Sequence, residues 1–304
     1  MKKVFDASTV SRLTPNHSYP IDLNHLFSSE SIHKLPPVYA HQYTNCLYLR
    51  DTFYTTSPLK SNFKLTHHPT DQPRQITRLK RHLLRFLTRR QILKGRYFIA
   101  TDSWLTGYFH WLLDALPRII AFQEFVNKNT ILILPASVRN IDYIQDSLHI
   151  LGIRHLIASQ SRAYIIDSLD FIDPITSTGN YNPLCIRLLR QRFRHNQKII
   201  LEKPTKTATK LTDRDILYVS RAQSSRRHLI NEQELIKAIG SVFNIKVIYP
   251  ENFNFTEQLQ LFSKAYLLVG LHGAGLSNML FMNQNSAVLE IRVKEDAHNN
   301  CFSP

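Results

Sequence analysis

Three short segments of this 304-residue chain combine residue types and spacings that could do chemistry. The first reads Tyr266-Leu-Leu-Val-Gly270-Leu-His272-Gly273-Ala274-Gly275-Leu-Ser277-Asn278. A buried strand there runs into a turn of small residues that opens a helix. Such a turn lets backbone N–H groups and the positive helix end come close to an anion. A phosphate tolerates no bulky side chain in the turn, which accounts for Gly273-Ala274-Gly275, and His272 can donate to a phosphate oxygen. The competing reading is tight strand-to-helix packing with no ligand. The segment is neither the G-x-G-x-x-G dinucleotide fingerprint nor a Walker loop, whose G-K-[ST] tail is missing. Glycine is scarce, 8 in all, and Gly270, Gly273 and Gly275 are three of them.

The second segment, Tyr218-Val-Ser220-Arg221-Ala-Gln-Ser224-Ser225-Arg226-Arg227, follows a strand. Carboxyl ends of parallel strands face the ligand crevice. Arg221, Arg226 and Arg227 there suit a diphosphate through forked, charge-assisted hydrogen bonds, although an exposed charge run would look the same. Asn231 with Glu234 reads as a helix N-cap with its capping box. The third segment is Thr106-Gly107-Tyr108-Phe109-His110-Trp111-Leu-Leu-Asp114-Ala-Leu-Pro117-Arg118. His110 and Asp114 are four apart, so a helix puts both on one face. Imidazole and carboxylate facing a cleft could serve as a general base and its partner or orient a sugar, while in an aromatic helix they could equally be a satisfied core pair.

Alternating elements must position these segments. Helices are expected at about 108–125, 138–151 and 182–196, with strands at 130–134, 154–158 and 164–171, the pattern of an α/β layer with a parallel sheet. After an apolar-poor, Lys/Thr-rich stretch the period resumes. Strands at 215–220, 245–249, 266–270 and 287–292 alternate with helices at 232–239, 256–265 and 275–281, as in a doubly wound domain. Residues 1–70 have no sustained period and are expected to form an irregular or short-stranded cap. The expected division is therefore 1–70 cap, 71–200 first Rossmann-like domain, 201–213 linker and 214–304 second domain.

Residues 74–96 hold nine Lys or Arg and no acid, with apolar residues at helical spacing. They are expected to form a basic amphipathic helix, with a strand at 96–100, offering a solvated face or a contact with a membrane surface or polyanion. The excess of 38 Lys+Arg over 23 Asp+Glu, a net +15, points to polyanions, phosphates or anionic membranes. No zinc-finger, helix-turn-helix or RNP-type pattern accompanies it, so nucleic acid is not the expected partner. Cys46, Cys185 and Cys301 are widely spaced and read as inert thiols. With no signal-peptide h-region and no membrane-length apolar stretch, the chain reads as cytoplasmic, at most peripheral at the inner membrane face.

In this order the three segments resemble the family 61 glycosyltransferases, which include capsular-polysaccharide-type enzymes and eukaryotic O-GlcNAc and xylosyl transferases. The matching pieces are Tyr108-Phe-His-Trp-Leu-Leu-Asp-x-Leu-Pro-Arg118, Val219-Ser-Arg-x-x-Ser-Ser-Arg-Arg227, and Val269-Gly-x-His-Gly-Ala-Gly-Leu-x-Asn-Met-Leu-Phe-Met282 ending in Leu289-Glu290-Ile291. The resemblance covers about residues 95–300. It implies a GT-B-like α/β fold of two Rossmann-like domains facing a cleft, and inverting transfer from a nucleotide diphosphate sugar, with a UDP-sugar the expected donor and the C-terminal domain its main holder. Family members are expected to continue beyond Pro304, so the C-terminal end reads as truncated.

These expectations assign Asp114 as the base, with His110 as its neighbour or as the base itself. Arg221, Arg226, Arg227, His272, Gly273, Ala274, Gly275 and Asn278 are assigned to the nucleotide sugar, with Glu290 accepting from the ribose hydroxyls. No cofactor and no metal are expected, because Asp213-x-Asp215 lies at a strand start, away from the crevice. The acceptor would be a glycan or lipid-linked glycan in polysaccharide or capsule biosynthesis. A rival reading is a non-catalytic GT-B-like protein that binds a polyanionic glycan or nucleic acid; a Rossmann oxidoreductase is disfavoured by the missing fingerprint.

Overall fold

Long apolar runs separated by polar turns fold here into two main sheets with different strand logic. The computed structural model describes residues 1–16, 18–19, 27, 31–49, 51–55, 89–201, 215–224, 227–293 and 300–302. In chain order the strands are β1 (Lys2–Phe5), β2 (Ser8–Ser11), β3 (Ile32–Leu35), β4 (Val38–Leu49), β5 (Thr52–Thr55), β6 (Arg89–Ile99), β7 (Ile131–Leu134), β8 (His155–Ile157), β9 (Arg162–Ile172), β10 (Asp215–Val219), β11 (Ile245–Ile248), β12 (Ala265–Leu271) and β13 (Ala287–Ile291). The contacts divide the chain into two units, Met1–Thr9 with Lys34–Leu189, and Val10–His33 with Arg190–Pro304. β2 and β3 pair as a separate two-stranded sheet.

The first unit's sheet runs β1-β4-β9-β6-β7-β8, with β5 on β4. β9, β6, β7 and β8 are parallel neighbours, as the alternation of strands and helices leads one to expect. β4, however, lies antiparallel to β9 from Ala40↔Ile172 to Leu49↔Ala163, and β1 and β5 are antiparallel to β4. The sheet is therefore mixed rather than parallel, and the stretch expected to be a cap supplies three of its strands. The basic segment is a second correction: within the expected helix, residues 89–96 are strand, while 74–88 lie outside the described residues. Pairing explains it, because β6 follows β9 from Arg89↔Arg162 to Ile99↔Phe171. Its register shifts between Leu93 and Arg96, where Gly95 has φ +98°, a left-handed bulge position that glycine fills without a Cβ clash. Across the two strands Arg96 donates to Asp170 through Nε at 2.5 Å and Nη2 at 3.0 Å, a forked pair on a nearly buried carboxylate.

The helical run after β6 starts as one α-turn at Tyr108–His110, widens to π-helix at Trp111–Ala115 and continues as α-helix Leu116–Phe125. Leu116 to Gln123 are all buried, Arg118 and Gln123 included. Phe122 stacks on Phe98 at 4.1 Å, and Trp111 Nε1 donates to Ser147 Oγ of helix Asp142–Ile150. Helix Pro183–Leu201 follows, and the division between units falls within it; of the expected linker, 202–213 lie outside the described residues.

In the second unit β11-β10-β12-β13 are all parallel. The chain leaves β10 toward β11, then crosses to β12 on β10's other side. The carboxyl ends of β10 and β12 thus flank a topological switch point, where open α/β sheets bind ligands. Helices Glu232–Gly240 and Phe255–Ser263 cover the sheet, the latter opened by the Asn254–Glu257 capping box. Phe193, Phe255 and Phe281 pack ring on ring at 5.3–5.8 Å. Among the described residues no helix is long and apolar enough to cross a membrane.

Candidate functional site

At the switch point of the second unit, β12 ends at Leu271 and Ala274–Phe281 follows as a 3-10 helix rather than the expected α-helix. The glycines are there because other groups come close. A Cβ on Gly275 would lie 2.9 Å from Val219 Cγ1, and one on Gly273 would lie 2.1 Å from Arg221 Nη1 and 3.5 Å from Arg227 Nη2. Two guanidinium groups therefore converge on the bare backbone of Gly273. Arg221 is held by Nε donating to Arg227 O at 3.1 Å and Nη2 donating to Ser224 Oγ at 2.9 Å. Burial pushes its pKa down, Arg227 adds to that by repulsion, and Glu251 opposes both. Arg227 has φ +58°, a left-handed backbone unusual for a long side chain, which marks a constrained turn. Arg226 lies outside the described residues.

His272 and Glu290, expected to meet a ligand separately, meet each other: His272 Nδ1 and Glu290 Oε1 are 2.5 Å apart. Arg292 Nη1 stands 4.0 Å from Glu290 Oε2 and donates to Asn300 Oδ1 at 2.6 Å. The His272 ring rests against Phe302 at 5.4 Å. These bonds leave the Nε2 edge of His272, rather than Nδ1, to any ligand. Asn278 departs from its expected role. It is fully buried and donates to Gly275 O at 3.1 Å and Gln258 Oε1 at 3.4 Å, so it holds the turn from beneath. Ala274 is the first residue of the 3-10 helix and Gly275 the second.

The expected capping box at Asn231 is absent: Asn231 has φ −103°, ψ 35° and no side-chain cap bond. The neighbouring Glu232 does more. Nearly buried, it accepts from Tyr218 OH and Arg221 N on Oε1, at 3.0 and 3.3 Å, and from Ser220 Oγ on Oε2 at 3.0 Å. It ties the end of β10 to the next helix and fixes the backbone from which Arg221 extends. Glu232→Ala orphans two buried hydroxyls and should lower the unfolding free energy by about 3 kcal/mol, read as a lower urea midpoint at unchanged m-value.

In the first unit His110 Nδ1 lies 2.8 Å from Asp114 Oδ2, and Thr178 Oγ1 donates to the same oxygen at 3.1 Å. The His110 ring makes T-shaped contacts with Trp104 at 4.8 Å and Phe109 at 5.3 Å. The π-turn carrying Asp114 is a local distortion that often marks functional positions. His110 and Asp114 open onto a cavity of about 650 Å³ also lined by Asp102, Arg118, Asp173 and Asn180. Arg118 is 4% exposed; burial pushes its pKa down to about 10 while Asp102 and Asp173 pull it up. Its Nε donates to Ile172 O at 2.7 Å, Nη2 bonds the same oxygen, and its guanidinium lies over the Phe171 ring at 4.7 Å. Glu232, Thr178, Asp102 and Asp173 have no local sequence signature; only the meeting of strand ends and loops brings them to these sites.

The three thiols fit inert roles, since burial pushes Cys46 up to about 11 and Cys185 and Cys301 up to about 12. Among the described residues no group of three His, Cys, Asp or Glu is placed to hold a metal ion.

Parts of the chain are similar to known proteins. Over 101 residues, 33% of this chain and 17% of the relative, the chain is 31% identical to protein O-linked-mannose beta-1,4-N-acetylglucosaminyltransferase 2 of Tetraodon nigroviridis. It is 32% identical over 89 residues to the EGF domain-specific O-linked N-acetylglucosamine transferase of Drosophila melanogaster, covering 29% of the chain and 16% of the relative. The Mus musculus protein of that name is 28% identical over 124 residues, 39% of the chain and 22% of the relative. The matches thus span less than a quarter of these relatives' lengths. The family model for glycosyltransferase 61 matches residues 108–289, from the turn that carries His110 to β13, and by that extent the chain belongs to glycosyltransferase family 61.

Proposed function

We propose that this chain is an inverting glycosyltransferase of GT-B type that moves a sugar from a nucleotide diphosphate sugar, a UDP-sugar in particular, to a hydroxyl of a glycan in polysaccharide or capsule biosynthesis. The observation that carries the reading is the convergence of Arg221 and Arg227 on the side-chain-free backbone of Gly273 at the switch point. Two like charges held this close favour an anion between them and stabilise the diphosphate as it departs. No metal ion is needed for that step: of the Asp213-x-Asp215 pair, Asp215 is already bound by Lys246 Nζ at 2.7 Å at the start of β10. The names of the relatives make N-acetylglucosamine the first sugar to test.

On this reading the acceptor oxygen attacks the anomeric carbon, the bond from that carbon to the diphosphate oxygen breaks, and the nucleoside diphosphate leaves with the electron pair. The hydroxyl proton goes to the His110–Asp114 pair. With Nδ1–H donating to Asp114 Oδ2, the ring's Nε2 accepts it, and the carboxylate balances the imidazolium that forms. Thr178, also on Oδ2, helps to hold the carboxylate in place. A thermal-shift panel of nucleoside mono- and diphosphates tests the donor side. UDP at about a hundredfold above its Kd should raise Tm by several degrees, and the monophosphate should do less; no shift with any diphosphate would remove the donor assignment.

A further inference from the structure

The cavity of the first unit has a charge character opposite to that of the chain. Against a net +15 overall, its charge-bearing lining among the described residues is three carboxylates, Asp102, Asp114 and Asp173, with the guanidinium of Arg118 and the imidazole of His110. These groups are built in. Asp173 accepts from Tyr39 N on Oδ2 at 3.0 Å and from His41 Nε2 on Oδ1 at 2.9 Å, and Asp102 accepts from Trp104 N at 2.9 Å. Arg118 is buried between the sheet and the cavity, and among the described residues its one hydrogen-bond acceptor is Ile172 O. Fixed carboxylates accept from the adjacent hydroxyls of a sugar ring, and a guanidinium donates to a ring or hydroxyl oxygen. Pro36, Leu105, Leu113 and Ile175 supply apolar wall for the C–H face of such a ring, and the volume lies within the ~300–1,000 Å³ of small-molecule sites.

We propose that this cavity is the acceptor subsite and that Asp102, Asp173 and Arg118 select an uncharged saccharide, excluding sugars that carry a carboxylate, sulfate or phosphate. The proposal deepens the glycosyltransferase reading and rests on it for the word acceptor. An acidic sugar would place its charge among three carboxylates with the Arg118 guanidinium as compensating cation. The positive surplus of the chain therefore does not report on the acceptor.

The test needs neither donor nor turnover. Saturation-transfer NMR on the full chain would use methyl glycosides of glucose, galactose, mannose, xylose and N-acetylglucosamine beside methyl glucuronoside, methyl galacturonoside and galactose 6-phosphate. At least one neutral glycoside should give transfer, the acidic ones none, and Asp173→Asn should weaken the neutral contact about tenfold, with the circular dichroism spectrum unchanged. Asp102→Asn combined with Asp173→Asn should admit the uronosides. Acidic glycosides binding as well as neutral ones, binding of neither class, or neutral binding indifferent to both substitutions would each overturn the proposal. Activity surviving in Asp114→Asn would instead overturn the base assignment and leave this result standing.

Discussion

Asp114→Asn should lower the transfer rate about 10³- to 10⁴-fold while nucleotide affinity stays within twofold of the unaltered chain. The amide keeps the shape of the side chain but loses the charge that His110 needs when it takes the acceptor proton. It can also present N–H to Nδ1 and so favour the wrong imidazole tautomer. The 2.8 Å contact from His110 Nδ1 makes the pair one proton-accepting unit, so His110→Ala should fall as far, and the double variant little further. Stopped or steady-state assays of both single variants and the double variant check this. Losses that multiply would mean that the two residues act separately. The substitution lies in the first unit and the residues assigned to the donor lie in the second, which is why binding and rate should part company.

Gly273→Ala should weaken nucleotide diphosphate binding about 10- to 100-fold and also lower stability by about 1–3 kcal/mol, because Gly273 has φ +157°, a backbone conformation that residues with a side chain rarely adopt. The added methyl would stand 2.1 Å from Arg221 Nη1, a distance no pair of heavy atoms tolerates without a bond. The obstacle is the far end of a flexible side chain, so the fold yields by letting the guanidinium swing away. What is lost is the pairing of Arg221 with Arg227 over the turn. Calorimetric titration with UDP, beside a urea melt, separates the two effects. Unaltered affinity would show that the convergence of arginines is packing and not a diphosphate site.

The sequence pattern carried the second unit nearly whole, because each βα step is local: an apolar run of four to seven residues, a polar turn, an amphipathic helix. The four parallel strands fall within a few residues of the expected positions. That alternation placed Arg221 and Gly273 at strand ends, while the switch point itself is set by the strand order β11-β10-β12-β13. The His110–Asp114 contact was legible too, since i and i+4 meet on any helical turn, whether α or π. What stayed hidden depends on distant pairing. β4 finds β9 more than a hundred residues along the chain, and nothing in Val38–Leu49 names that partner. β6 looks helical because its apolar residues continue the spacing of the segment before it; only the ladder with β9 and the bulge at Gly95 make it a strand. Glu232 was passed over for Asn231 because a cap is a local rule, whereas a carboxylate reaching back to Tyr218 and Ser220 is a tertiary one. The buried Arg118 likewise follows a proline in a helix's first turn with no sign that the sheet behind it ends in a free carbonyl.

Sugar transfer from a nucleotide diphosphate donor is read by measuring nucleoside diphosphate release from a panel of nucleotide sugars, UDP-N-acetylglucosamine first, with neutral saccharides supplied as acceptors. UDP release is expected with at least one UDP-sugar, increased by a neutral acceptor and reduced about a thousandfold in Asp114→Asn. Release equal in Asp114→Asn, or none from any donor by a chain that binds UDP, would contradict it.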